Sequence, residues 1–175
     1  MKNITLILLL LFIASNCKSN ENQKVKFSDE INRYNFLDKE HDLQFIYDFE
    51  ALFSIEEKLQ IEEKIKNFKK TSNVSMIIIS NKKIGKQGNI VEDVKVLNKL
   101  FSHKFNLKNT VVFEISTPTR QIGMASSESL KNILTDSICN QILKNNIGPK
   151  FKQEHYFEGI KSGIDAAIFE LKKTD

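Results

Sequence analysis

The residue types that the sequence has in short supply exclude several kinds of protein. It contains no tryptophan, two prolines, six glycines and two cysteines. At most one disulfide can form, between Cys17 and Cys139 in an oxidising compartment, and a chain of 175 residues can bury a core without one. Of the 26 basic residues only Arg33 and Arg120 are arginines, so the pattern is not that of an arginine-rich nucleic-acid reader. We expect no nucleic-acid partner.

Residues 1–16 have the pattern of a removable export signal. A short positive start at Lys2 is followed by an apolar run over residues 4–13. This run is too short to cross a bilayer, since a spanning helix needs about 20 residues. The segment Ala14-Ser15-Asn16-Cys17 then resembles the lipobox of bacterial lipoprotein precursors. The alternative is an ordinary signal peptide with an incidental cysteine.

Cys17 is the predicted site of lipid attachment. Its thiol would form a thioether to diacylglycerol, and several acyl chains anchor a protein durably to a membrane. Residues 17–40 are then a polar tether, in which Tyr34 and Phe36-Leu37 favour a short helix. These features predict an exported, lipid-anchored protein of a bacterial cell envelope, with the choice between inner and outer membrane left open.

Residues 41–175 have the pattern of one α/β domain. Ser54 and Glu57 have the spacing of a capping box at the start of a helix that ends near Lys70. The apolar face of this helix is predicted to consist of Ile55, Leu59, Ile61, Ile65 and Phe68. A second helix begins at Asn89. We expect both helices to pack on a sheet.

Three segments predict the strands of this sheet. The continuous apolar run of residues 74–79 indicates a buried strand. Residues 110–115 form the next strand, and residues 121–125 return as its hairpin partner. Strand–helix–strand order implies a parallel pair with a right-handed crossover. The fold class is therefore α/β, with a small mixed β-sheet made of a parallel pair plus a hairpin.

The last third of the chain predicts helices. One helical segment over residues 130–142 is interrupted near residues 135–137, and Ile147-Gly148-Pro149 is expected to stop it. A final helix spans residues 154–172. Together with the two earlier helices, these elements predict a sheet covered by helices on both faces.

Short motifs along residues 42–171 resemble, in order and spacing, those of the TPM domain family. They are Ile46-Tyr47-Asp48, Leu52-Phe53-Ser54-Ile55-Glu56-Glu57, Val111-Val112-Phe113, Arg120-Gln121-Ile122, Leu134-Thr135-Asp136, Pro149-Lys150-Phe151 and Tyr156-Phe157-Glu158-Gly159-Ile160. The family includes a thylakoid-lumen acid phosphatase. The resemblance therefore implies a TPM-like fold and a phosphatase-like activity.

The resemblance also implies a divalent cation such as Ca²⁺, but the sequence departs from the family at two places. Phe105-Asn106-Leu107-Lys108-Asn109-Thr110 stands where the family has a Trp-Gly-rich segment and an acidic D-N-G, and Ala125-Ser126-Ser127 replaces its glycines after the hairpin. A hard cation needs carboxylate ligands. His41, His103 and His155 are far apart and lack zinc-ligand spacing. We predict no metal and no cofactor.

Asp48, Asn109, Arg120 and Asp136 form the candidate polar site. The strand ends and the segment before the hairpin are expected to bring Asn109, Arg120 and Asp136 to one edge of the sheet. There Arg120 could bind an anion through two hydrogen bonds. The alternative is that Asp136 only caps a helix and that Arg120 is only a solvated charge.

No other motif predicts a catalytic residue. Ser126 and Ser127 lack the G-x-S-x-G pattern of a nucleophile, and the loop at Gly85 and Gly88 lacks the spacing of a phosphate loop. Cys139 is predicted to be a small buried apolar residue. We expect a non-catalytic binding or assembly role with an envelope protein as partner. A phosphatase-like phosphoester hydrolase is the alternative, and it loses support if the four residues of the polar site lie apart.

Overall fold

The computed structural model describes residues 34, 36–40, 42–85 and 88–173. The chain divides into two units, residues 1–41 and residues 42–175. In the first unit a short helix, α1, spans Phe36–Lys39, which confirms the helix predicted there. The predicted export signal and the lipid-bearing Cys17 lie outside the described residues.

The second unit contains a four-stranded mixed sheet with the order β1-β2-β3-β4. Its strands are β1 (Ile46–Asp48), β2 (Val74–Ser80), β3 (Asn109–Ser116) and β4 (Gln121–Ser126). The first three strands run parallel, and β4 pairs antiparallel with β3. The predicted parallel pair and hairpin are confirmed. The additional strand β1 was expected only as an extended lead-in, because a segment this short shows no period of its own.

Side-chain caps begin three of the five helices described in the second unit. They are α2 (Ile55–Ser72), α3 (Ile90–Lys104), α4 (Asp136–Ile142), α5 (Gly148–Phe151) and α6 (Tyr156–Lys172). The Ser54 hydroxyl accepts from the Glu57 amide at 3.2 Å, and the Glu57 carboxylate accepts from the Ser54 amide at 2.7 Å. This confirms the capping box, whose loss typically costs about 1 kcal/mol. Asn89 caps α3 by accepting from the Val91 amide at 3.0 Å, and Thr135 caps α4 by accepting from the Ile138 amide at 3.2 Å.

Helices cover both faces of the sheet, as predicted. On one face, α2 and α6 pack on β2 and β3, with a core that includes Ile65, Ile164, Met76 and Phe113. On the other face lies α3, whose Phe101 ring is 5.2 Å from the ring of Tyr47 on β1. No described helix has the length and apolar character that crossing a membrane requires.

The approach of α3 to the sheet depends on Gly123 of β4. A Cβ atom at this position would lie 2.9 Å from the carbonyl oxygen of Ile90 and 3.0 Å from Cγ1 of Val94. These distances are shorter than ordinary van der Waals contact, so only glycine permits this spacing without a shift of α3. The first turn of α3 is thereby placed directly over the β3–β4 pair.

Two details of the helices differ from the prediction. Ile55 and Leu59 do not face the core: they are 80% and 62% exposed, because only the stripe Ile61, Ile65 and Phe68 points at the sheet. The chain also does not stop at residues 147–149. It continues from α4 through a π turn, Leu143–Ile147, into α5, where Pro149 is tolerated because the first turn of a helix needs no amide donor there.

Candidate functional site

Asp48 ends β1, and its carboxylate is hydrogen-bonded to the loop that follows and to the end of β2. It accepts hydrogen bonds from the amides of Leu52 at 2.9 Å and Phe53 at 3.1 Å and from the Ser80 hydroxyl at 2.7 Å. Lys58 lies 3.0 Å away as an ion-pair partner, and the Asp48 side chain is 2% exposed. Asp48 therefore fixes the β1–α2 loop to the end of β2.

The protonation of Asp48 follows from this environment. Burial raises the pKa of its carboxyl group, but the hydrogen bonds from Ser80, Leu52, Lys58 and Phe53 together outweigh burial and hold the pKa below its ordinary value of 3.8. The group is ionised at neutral pH, and its oxygens are already occupied. This arrangement is typical of a structural carboxylate.

The other three residues of the predicted polar site do not converge on one edge. Asn109 begins β3, whereas Arg120 ends the turn after the same strand, so the length of β3 separates them. The amide oxygen of Asn109 accepts from the Ser129 hydroxyl at 2.8 Å. Asp136 is the exposed first residue of α4 and lies 3.5 Å from Lys95. The expected grouping of Asn109, Arg120 and Asp136 is therefore wrong.

The segments that correspond to the family's acidic motif do not fit a hard cation. There the Ser129 hydroxyl donates a hydrogen bond to the Asn109 amide oxygen, and Lys108 in the same segment is an exposed basic residue. Within the described ranges, no three His, Cys, Asp or Glu side chains form a group that could hold a metal ion.

Two acidic residues, Glu114 and Asp93, lie close together where the first turn of α3 covers the sheet. Glu114 is on β3, paired with Ile79 of β2 and Gly123 of β4, and it is completely buried. Neither of its carboxylate oxygens has a hydrogen-bond partner among the described residues. Burial, and after it the nearby charge of Asp93, raises the pKa of Glu114 from 4.5 to about 9. Glu114 is therefore protonated at neutral pH.

Asp93 is held in place beside Glu114. It belongs to the first turn of α3, and it accepts a hydrogen bond from the amide of Gly85 at 2.6 Å. Ser116 lies on the same face of β3 as Glu114, and its hydroxyl is also buried without a partner among the described residues. The pair can hold a proton, but Glu114 cannot reach a substrate outside the protein in this conformation.

The surface of α2 presents the exposed apolar residues Ile55 and Leu59. Residues four apart on a helix are neighbours on one face, so the two side chains form a short apolar ridge. Glu62 and Lys66, one to two turns further along, pair at 2.7 Å. We call Ile55 and Leu59 the α2 ridge. The α2 ridge is a small exposed apolar surface on a well-capped helix.

The family model of the TPM domain matches residues 46–169. The chain belongs to the TPM domain family. The motifs that indicated this from the sequence lie within the matched range. No curated protein matches the sequence.

Three solved structures share the fold of this TPM domain. The N-terminal domain of a protein from P. gingivalis has a TM-score of 0.64 and 18% identity, over 74% of this chain and 83% of that chain. The BA42 protein from Bizionia argentinensis has a TM-score of 0.60 and 17% identity, over 71% of this chain and 85% of that chain. The N-terminal domain of the cg2496 protein from Corynebacterium glutamicum has a TM-score of 0.52 and 14% identity, over 77% of this chain and 82% of that chain. Identities this low establish the fold alone.

Sequence reasoning missed the acidic pair of this TPM domain. Glu114 stands in an otherwise apolar strand, between Phe113 and Ile115, and a lone acid at a buried strand position is the signal that could have identified it. Its partner Asp93 could not be identified in the same way, because acidic residues are common in the first turn of a helix.

Proposed function

We propose that this protein is a lipid-anchored envelope protein whose TPM domain binds a partner protein and catalyses no reaction. The lipid is attached at Cys17, and the polar segment up to residue 40 separates the domain from the membrane. The partner contacts the α2 ridge. Binding and anchoring are independent parts of this proposal and have independent tests.

The exposure of the α2 ridge is the observation that carries the binding role. Ile55 is 80% exposed and Leu59 is 62% exposed, although both would gain from burial by about 1.5–3 kcal/mol each. They stay exposed on a helix whose other apolar residues, Ile61, Ile65 and Phe68, are buried. A protein partner that covers them would recover that free energy.

The state of the acidic groups supports a non-catalytic role over a phosphatase-like one. The carboxylate of Asp48 already accepts three hydrogen bonds and an ion pair. Glu114 is buried and cannot meet a phosphoester. A general acid or base must come within hydrogen-bond reach of the group on which it acts, and neither carboxyl group does so in this conformation.

The binding role is tested by comparing what the intact anchored protein and its variants recover from envelope extracts. Ile55→Gln and Leu59→Gln keep helix propensity and remove the apolar ridge. Val91→Gln is the matched control, because Val91 is an exposed apolar residue of α3, at 44% exposure. We expect a protein that the unaltered chain and the Val91 variant recover and that the double variant loses. Equal recovery by all three contradicts the proposal.

The anchor is tested by Cys17→Ser. We expect the unaltered protein to remain with membranes after a high-salt wash and the variant to be released, with the mass of the unaltered protein raised by its acyl chains. A variant that stays equally bound contradicts lipid attachment at this residue.

The phosphatase-like alternative makes a distinct prediction. Specific phosphoester turnover by the purified protein, abolished by Asp136→Asn, would overturn the non-catalytic proposal. We expect no turnover above that of a heat-denatured sample, with or without Ca²⁺.

A further inference from the structure

A groove lies on the side of α6 that faces away from α2, and it is lined by both polar and apolar side chains. It lies between α6 and the segment that runs from α4 through the π turn, and its volume is about 370 Å³. A volume of this size is within the usual range for small-molecule sites, about 300–1,000 Å³. We call this cavity the π-turn groove. A separate groove between α2 and α6 has a volume of about 440 Å³.

One rim of the π-turn groove consists of carboxamide side chains, Gln141, Asn145 and Asn146. The side chains of Gln141 and Asn145 are exposed and that of Asn146 is half-buried, so their carboxamide groups are accessible to a ligand. Each carboxamide offers both donors and an acceptor. The rim can therefore donate to and accept from the same ligand, without charge.

The π turn is what supplies two of these side chains. In this turn the amide of Gly148 donates to the carbonyl of Leu143, five residues back, and Asn145 and Asn146 lie between them. A π turn inside a helical segment is rare and is found frequently at functional sites. Here it places two consecutive carboxamides along one groove.

The remainder of the π-turn groove is apolar and electrically neutral. Ile138, Ile142 and Ala166 line it, together with Phe169, which is 62% exposed. Among the described residues that line the groove, Glu170 is the charged one, and its carboxylate oxygens lie 2.8 and 2.9 Å from the Lys173 ammonium. The same ammonium lies 4.5 Å from the centroid of the Phe169 ring, so it covers part of one ring face and neutralises the acid.

We propose that the π-turn groove binds a neutral sugar unit. A sugar presents hydroxyl groups along its edges and C–H groups on its faces. The hydroxyl groups match the donors and acceptors of the carboxamide rim, and a C–H face matches Phe169 and the aliphatic residues beside it. A charged ligand would find no free counter-charge in this lining.

An extended peptide fits the same groove less well. Peptides that bind in extended form take most of their hydrogen bonds from an exposed strand edge. The π-turn groove is walled by helical segments, whose backbone groups are bonded within the segments themselves. An amphipathic helix would need an apolar rim, and this rim is polar.

The test is a titration of the full-length, ¹⁵N-labelled protein in detergent, followed by NMR of the side-chain carboxamide groups. The probes are cellobiose, N,N′-diacetylchitobiose and, as the rival ligand, a trialanine peptide. We expect one of the two sugars to shift the signals of Asn145 and Asn146. The carboxamide of Asn67, which lines the α2–α6 groove, is the internal control and should not shift.

Variants decide whether the shifts report this groove. Asn145→Ala with Asn146→Ala, and separately Phe169→Ala, should each weaken sugar binding by about tenfold or more. Asn67→Ala should leave it unchanged, and thermal unfolding should confirm that all variants are folded. No shift with either sugar, equal shifts at Asn67, or tighter binding of the peptide would overturn the proposal. This result is independent of the α2 ridge and of the lipid anchor.

Discussion

Glu114 on β3 and Asp93 in the first turn of α3 form a buried acidic pair in which Glu114 is protonated at neutral pH. Burial, and after it the charge of Asp93, raises the pKa of Glu114 to about 9, and Asp93 accepts a hydrogen bond from the amide of Gly85. The proton on Glu114 is thus a component of the folded state, because the unfolded chain releases it near its ordinary pKa.

This pair predicts that stability falls as the pH rises. The folded-state pKa of Glu114 lies above the unfolded value of 4.5. Its contribution is therefore fully present below pH 4.5 and is lost progressively up to about pH 9, at up to about 1.4 kcal/mol per pH unit. Urea unfolding between pH 5 and pH 9 measures the slope. Glu114→Gln should flatten it, and the exposed control Glu63→Gln should not; identical slopes in all three proteins would contradict the assignment.

Asp48→Asn should destabilise the domain by about 2–4 kcal/mol at neutral pH, because the neutral amide loses the ion pair and one of the acceptors that hold the β1–α2 loop. The pKa of Asp48 is lowered in the folded state, so its contribution is present above the unfolded value of 3.8 and is lost as the pH falls through the folded pKa. Denaturant unfolding at pH 7 and at acid pH tests both parts. The control is Asp42→Asn, at an exposed position. An equal effect of the two substitutions would show that Asp48 does not hold the β1–α2 loop to the end of β2.

Gly123→Ala should cost about 1–3 kcal/mol, because the added methyl group meets the carbonyl of Ile90 at 2.9 Å and the side chain of Val94. A double-mutant cycle with Val94→Ala gives the sharper measurement. Since the two substitutions share one contact, the double variant should lose less than the sum of the single losses. If the two losses of stability are strictly additive, the added methyl group does not act through its contact with Val94.

Cys139 is buried, as predicted, and its thiol should be inert in the folded protein. Burial, and after it the charge of Asp136, raises its pKa to about 11, which suppresses the reactive thiolate. In the Cys17→Ser chain, Cys139 is the remaining cysteine. A thiol reagent at pH 8 should modify it about a thousandfold more slowly, or slower still, than in concentrated urea. Rapid modification without denaturant would show that α4 opens readily.

Much of the fold follows from local signals in the sequence. The capping box at Ser54 and Glu57, the apolar run of β2 and the turn after β3 act within a few residues, so they can be read without knowledge of the tertiary structure. The interruption near residues 135–137 proved to be Thr135 capping a new helix. These elements also placed the domain in its family.

The features that sequence reasoning missed depend on residues far apart in the chain. Ile55 and Leu59 have helical spacing with the core residues of α2, but the direction in which α2 packs leaves them exposed. Asp48 was expected at an open site, yet Ser80, 32 residues away, closes over it. The burial of Glu114 depends on the close approach of α3 at Gly123. In each case the packing of one element on another decides the role of the residue.

The order of the strands across the sheet equals their order along the chain. Each new strand can therefore join the edge of what is already formed, and the sheet can grow while the ribosome is still adding residues. The face under α2 stays incomplete until α6, the last helix, supplies Ile160, Ile164 and Ala167 to it. A chain cut short before residue 156 would expose that apolar face to solvent and to its neighbours, and aggregation rather than partial function is the expected fate of such a product.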